Sequence, residues 1–116
     1  MKLTQRQAKP GLVVVELSGR ISMGEDCAEI EQTVEEHVAQ DQKHFIFDLT
    51  GVHHIDSAVV GQIVKSHSRL LRSGGKLRIA GAAGMVHGVL KLTQVSNVIE
   101  MFPTTAAASE GFPPNS

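Results

Sequence analysis

The 116-residue sequence contains neither Trp nor Tyr and only four Phe. It therefore offers little flat aromatic surface on which nucleic-acid bases could stack. Nor is there a strong excess of charge of one sign: the formal net charge is -1, which gives no general attraction to nucleic acid or to an anionic membrane. A single cysteine, Cys27, excludes an internal disulfide. No apolar run approaches the ~20 residues a membrane span needs, and "MKLTQRQAKP" lacks the apolar stretch of a secretory signal. The expected address is the cytoplasm, with no nucleic-acid partner and no membrane insertion. What is present is ordinary globular material, 41% hydrophobic and 20% charged, enough for one domain with its own core.

Three short β-rich runs alternate with period two: "LVVVEL" (12–17), "FIFDL" (45–49) and "KLRIA" (76–80). Val13, Val15, Leu17, Phe45, Phe47, Leu49, Leu77 and Ile79 share one parity, while Glu16, Asp48, Lys76 and Arg78 fall on the other. Successive strand side chains point to opposite sides, so this predicts a sheet with one buried and one partly wetted face, and helices on the buried side. Cys27, Ile30, Val34 and Val38 form a helical stripe in 24–40. A second stripe, Val59, Val60, Ile63, Val64, His67, Leu70 and Leu71, stops at "SGG" (73–75). Pro10 and Gly11 mark a turn after an N-terminal strand antiparallel to 12–18. A third helix is expected near Met85–Leu92 and a short strand at 98–102. The fold class is thus α/β, a mixed four- to five-stranded sheet with helices packed on one face. Three of the four prolines lie from Pro103 onward, so 1–105 is read as the domain and 106–116 as a weakly ordered extension, at most one helical turn.

Charge is segregated along the chain. Residues 24–41 hold seven acids and no Lys or Arg, and residues 57–91 hold six Lys or Arg and no acid. Either the two helices are neighbours that neutralise one another, or they present a docking surface.

The chemically suggestive stretch is "VHHIDSAVVGQIV" (52–64). As a hydrolase elbow it fails, because β-branched Val59 and Val60 stand where such a turn needs small residues, and His53 and His54 are too close in an extended segment to form a triad with Ser57. As a metal site, His44, His53, His54 and Asp56 lack ligand spacing, and alternation points the paired rings apart. "SGGK" and "AGAAGM" match neither a P-loop nor a dinucleotide fingerprint. No cofactor is expected. Cys27 reads as a small buried apolar residue, His67 as a hydrogen-bonded residue at the core edge, and His37 and His87 as surface positions. For Asp56 and Ser57 the start of a helix remains: both are strong N-cap residues. A hydroxyl there is also open to phosphorylation, and an added anion is tolerated at a helix N-terminus.

"VVVELSGRIS", "FIFDLTGVHHIDSAVVGQIVKSHSRLLRSGGKLRIAG" and "LTQVSNVIEMF" together resemble the STAS domain of bacterial anti-sigma factor antagonists over roughly residues 3 to 105. That family usually reads D-S-S/T-G-L-G at the start of the helix, its first serine receiving a phosphoryl group. Asp56, Ser57 and Gly61 match. Ala58 and Val59 depart from the pattern, which implies a tighter steric environment around the serine. The resemblance implies a non-enzymatic, phosphorylation-controlled switch. Unphosphorylated, it binds an anti-sigma factor with serine kinase activity and frees a sigma factor; phosphorylation of Ser57 ends binding and a serine phosphatase restores it. The implied contact surface comprises Ser22, Met23, His53, His54, Asp56, Ser57, Ala58, Met85, Val86 and Val89, although for the last three core packing is the alternative. A second implied role is as a STAS subunit of a membrane transport system, such as a lipid-trafficking ABC transporter. The sequence specifies no oligomeric state.

Overall fold

The computed structural model describes residues 1–114. The last two positions of the expected C-terminal extension, 115 and 116, lie outside the described residues. Along the chain run β1 (Lys2–Lys9), β2 (Leu12–Arg20), α1 (Glu25–Val38), β3 (His44–His54), α2 (Ser57–Arg72), β4 (Lys76–Ala80), α3 (Gly84–Leu92), a 3-10 turn (Val95–Asn97), β5 (Met101–Phe102) and α4 (Thr105–Ser109). The five strands form one sheet in the order β1-β2-β3-β4-β5. β1 runs antiparallel to β2, and the other neighbours are parallel. The mixed α/β architecture expected from the alternation is the one observed.

The strand parity sorts the core. Val13, Val15, Leu17, Phe45, Phe47, Leu49, Leu77 and Ile79 meet Ile30 and Val34 of α1, Val59, Ile63 and Leu70 of α2, and Val86 and Leu90 of α3 in one continuous apolar cluster. The three long helices thus share one face. Helix α2 ends where "SGG" forces it to: Gly74 takes φ 85, its N–H donates to Leu71 O at 3.0 Å, and Gly75 N–H donates to Leu70 O at 2.8 Å. These are the two closing bonds of a Schellman cap. A Cβ on Gly75 would lie 1.8 Å from Lys43 O, so the chain can enter β4 beside β3 only with glycine there.

Two expectations are corrected here, that of a weakly ordered tail and that of helices on one sheet face only. Leu12, Val14, Ile46 and Ala80, the apolar residues of the opposite parity, form a second cluster with Ala108 and Phe112. Helix α4 and the segment after it lie on the face left open by the long helices, and Phe112 is 1% exposed. Thr104 caps α4 by accepting from Ala107 N–H at 3.1 Å. Lys9 Nζ donates to Ser109 O at 2.7 Å, and Arg78 Nη1 donates to Ala108 O at 2.9 Å and Glu110 O at 3.1 Å. The physical reason is plain: four strand residues with no polar atoms in their side chains need a cover, and the tail supplies an aromatic ring.

Candidate functional site

Parallel strands β2, β3 and β4 deliver their following loops to one edge of the sheet, the edge at which α1, α2 and α3 begin. Ile21 N–H donates to His54 O at 3.1 Å, tying the β2 exit to the end of β3. From there the chain turns through Ser22, whose N–H is held by Asp26 Oδ2 at 2.9 Å, and Met23 is left 70% exposed. Sequence reasoning missed Asp26; its signal is an acid four residues beyond a loop serine, where it can brace the loop from the first turn of α1.

Asp56 is the N-cap of α2. Its backbone is extended, and its Oδ1 accepts from Val59 N–H at 3.0 Å. Ser57 is the first helical residue and, with Ala58, is exposed, its hydroxyl free of any intramolecular bond among the described residues. Of the two residues eligible to cap, Asp56 takes the role, which leaves the serine hydroxyl unused. The expected crowding by Val59 does not arise: Val59 is fully buried and packs with the central core, so its branched side chain points away from the surface on which Ser57 stands. Val60 and Ile63 are buried behind it.

Of the remaining expected contact residues, His53 is exposed and His54 half-buried. Met85 is 43% exposed at the start of α3. Val86 is corrected from a candidate contact residue to a core residue, since it is fully buried. One residue beyond an exposed helical position turns the side chain about a quarter of a turn, here into the sheet. Val89 is half-buried against the same core.

Cys27 is half-buried rather than buried, its Sγ 3.6 Å from Ser22 O. Burial, then the carboxylates of Asp56 and Asp26, push its thiol pKa upward, with Lys65 opposing. A raised pKa keeps it a thiol and a poor nucleophile. His67 is 4% exposed on the inner stripe of α2, but the hydrogen bond expected for it is absent at Nδ1, which has no partner among the described residues. His37, expected on the surface, is half-buried, bonds Gln42 and Gln5 through its ring nitrogens and packs edge-on against Phe45; His87 is exposed. Among the described residues no group of three or more His, Cys, Asp or Glu gathers as a metal site would require, and no helix is long and apolar enough to cross a membrane.

A family model for the STAS domain matches residues 4–108. No curated protein matches the chain. Several solved structures share its fold. TM1081 of Thermotoga maritima, a candidate anti-sigma factor antagonist, aligns with a TM-score of 0.85 at 20% identity, over 93% of this chain and 92% of its own. The Bacillus cell fate determinant SpoIIAA in its phosphorylated form aligns at 0.75 and 14% identity, over 94% and 98%. A sulfate transporter family protein from Wolinella succinogenes aligns at 0.74 and 16% identity, over 85% and 82%.

Proposed function

Because the chain belongs to the STAS domain family, we propose that it is an anti-sigma factor antagonist working as a phosphorylation-controlled binding switch. In its unmodified form it docks an anti-sigma factor of the serine kinase type and so releases a sigma factor. A serine phosphatase acting on phosphorylated Ser57 resets it. In this cycle the domain is a ligand and a substrate, not a catalyst. The observation that carries the reading is the exposed Ser57 hydroxyl at the first position of α2, mounted between a capping carboxylate and a fully buried valine. Met23 and Met85 supply exposed apolar surface for a partner at the starts of the flanking helices.

Charge explains how one phosphoryl group could end binding. It adds roughly -1.5 to -2 at neutral pH, beside the carboxylate of Asp56. At the helix start the macrodipole offsets part of the repulsion, by about 0.3 to 1 kcal/mol, so the fold is little affected. At a closed interface the same charge is desolvated against a surface shaped for a neutral hydroxyl, and mispaired buried charge costs about 2 to 5 kcal/mol. The interface term is the larger, so binding is lost while folding is kept. Titration calorimetry against the cognate anti-sigma factor tests this with wild type, Ser57→Ala and Ser57→Asp. The alanine variant should bind as wild type does and resist the kinase, and the aspartate variant should bind more weakly at similar melting temperature. Equal affinities for all three would sink the proposal.

The likeness in fold to the Wolinella protein favours a second reading, a regulatory or structural subunit of a membrane transport system. Recovery of the domain from its native cell with a transporter component, and with an intact mass lacking phosphate, would select that reading.

A further inference from the structure

The segregation of acidic α1 from basic α2 is only partly explained by their adjacency. Among the described residues a single ion pair joins them, Arg69 Nε to Glu35 Oε1 at 2.6 Å. That pair stands in the wall of a half-open cleft of about 80 Å³ between the two helices, lined from Glu31 to Glu35 on α1 and from Gln62 to Arg72 on α2. Its floor is Val34 with Gln62 and Ser66, which are 6% and 2% exposed. Gln62 Nε2 donates to Ser66 Oγ at 3.4 Å, the far end of the range for such a bond. That is the only hydrogen bond either side chain makes among the described residues, so the amide and the hydroxyl keep hydrogen-bonding capacity free toward the cavity.

The walls say what kind of partner fits. Lys65 and Arg72 line the cavity with no carboxylate within 4.0 Å among the described residues. Arg69 is held in place by Glu35 and by its own Nη1 donation to Ser73 Oγ at 2.5 Å. On the opposite wall stands Glu31, an exposed residue with no ion-pair partner among those described. The space is far above the ~10–15 Å³ that one water requires and far below the ~300 Å³ of a cofactor pocket. An oxyanion of four or five heavy atoms matches it.

We propose that the cleft between α1 and α2 binds a protonated phosphate oxyanion, with Lys65, Arg72, Ser66 and Gln62 donating to its oxygens and the Glu31 carboxylate accepting from its remaining P–OH. An ionised carboxylate only accepts hydrogen bonds. It therefore welcomes an anion that still carries a proton and repels one that does not. Hydrogen phosphate and sulfate have the same shape, but at neutral pH only the first has a proton to give. Glu31 is thus a selectivity element: it turns a basic cleft that would take any oxyanion into one that takes phosphate. The site is separate from Ser57 and does not depend on the switch reading.

Inorganic phosphate, sulfate and O-phosphoserine are titrated in parallel into the ¹⁵N-labelled full chain at fixed ionic strength through the millimolar range. The Gln62 side-chain amide and the backbone amides of residues 62–72 are followed by NMR. Phosphate is expected to shift these signals saturably, with sulfate at least about tenfold weaker. Arg72→Ala, on an exposed residue, should weaken phosphate about tenfold with the spectrum otherwise native. Glu31→Gln should let sulfate bind nearly as well as phosphate, because the amide offers a donor in place of a carboxylate. O-phosphoserine, a monoester that has largely lost its last P–OH proton at neutral pH, is expected to bind about as weakly as sulfate, which would assign the site to the free ion; binding as tight as that of inorganic phosphate would show that Glu31 does not select on the proton and would overturn the proposal. No saturable shift with inorganic phosphate, or sulfate equal to phosphate in the wild type, likewise overturns it.

Discussion

The guanidinium carbon of Arg78 lies 4.3 Å from the centre of the Phe112 ring. The same group is 5.1 Å from the Phe102 ring and donates to two tail carbonyls. A strand cation thus clamps the C-terminal segment over the second apolar cluster. Phe112→Ala is expected to cost about 3 to 5 kcal/mol, the range for an aromatic side chain removed from a packed site. Leu92→Ala, at a residue 85% exposed, should stay within about 0.5 kcal/mol of wild type. Urea denaturation of both variants checks this, and a Phe112→Ala midpoint equal to that of Leu92→Ala would contradict the tail's place in the core.

Asp56 holds the first turn of α2 through Val59 N–H. Asp56→Ala should lose about 1 kcal/mol of stability, within the roughly 0.5 to 2 expected for a cap. Asp56→Asn retains the acceptor oxygen and should recover most of that loss. Thermal melts of the pair separate the hydrogen bond from the charge: recovery by Asn assigns the effect to the cap, and no recovery assigns it to the carboxylate's charge.

Gly61 stands exposed in the second turn of α2, and a Cβ built on it meets nothing within 4 Å. Gly61→Ala should therefore stabilise the fold by roughly 0.5 to 1 kcal/mol, the usual gain in a helix interior. If the partner docks over this turn, the added methyl group should weaken binding while raising the melting temperature. Calorimetry beside a thermal melt reads both quantities, and stronger binding by the variant would place the interface elsewhere.

Burial, and secondarily the nearby charge of Lys76, lower the pKa of His67 below its ordinary 6.5. His44 is lowered as well, by burial and then by Lys43. The folded state therefore holds these rings neutral, while the unfolded chain protonates them near 6.5. Stability is complete above that pH and declines as pH falls from 6.5 toward the lowered folded-state values, because the unfolded state binds the extra protons. His67→Gln should flatten this decline. Denaturant midpoints collected between about pH 5 and 8 will show it, and an unchanged slope would exclude His67 as a source.

Much of the fold is legible because strand alternation and helical stripes report burial directly. Val13, Val15 and Leu17 announced one face, and the stripe through Ile63 and Leu70 announced the helix that covers it. Three prolines in a short segment suggest poor packing for the tail, but one buried Phe112 outweighs them. The missed signal was in the strands themselves. Leu12, Val14, Ile46 and Ala80 are as apolar as the residues that were assigned to the core, and a face merely wetted would not carry them. At the site, Asp56 and Ser57 were legible as a helix start, but which of them caps depends on a backbone dihedral that no residue type states. Val86 was ambiguous for a related reason: in a helix of nine residues one or two positions decide the phase, and the sequence leaves that phase open.

Val59, rooted in the core two residues beyond an exposed serine, has a kinetic consequence. The turn that carries Ser57 cannot swing out or unwind without pulling a buried side chain into water, so a group attached there changes what the surface says without changing where the surface is. Under the proposed switch, a partner meeting the modified domain would find the same contour with a different charge. Discrimination should then appear chiefly as a shortened residence time, and removal of the group should restore full affinity at once, with no slow refolding step between the two states.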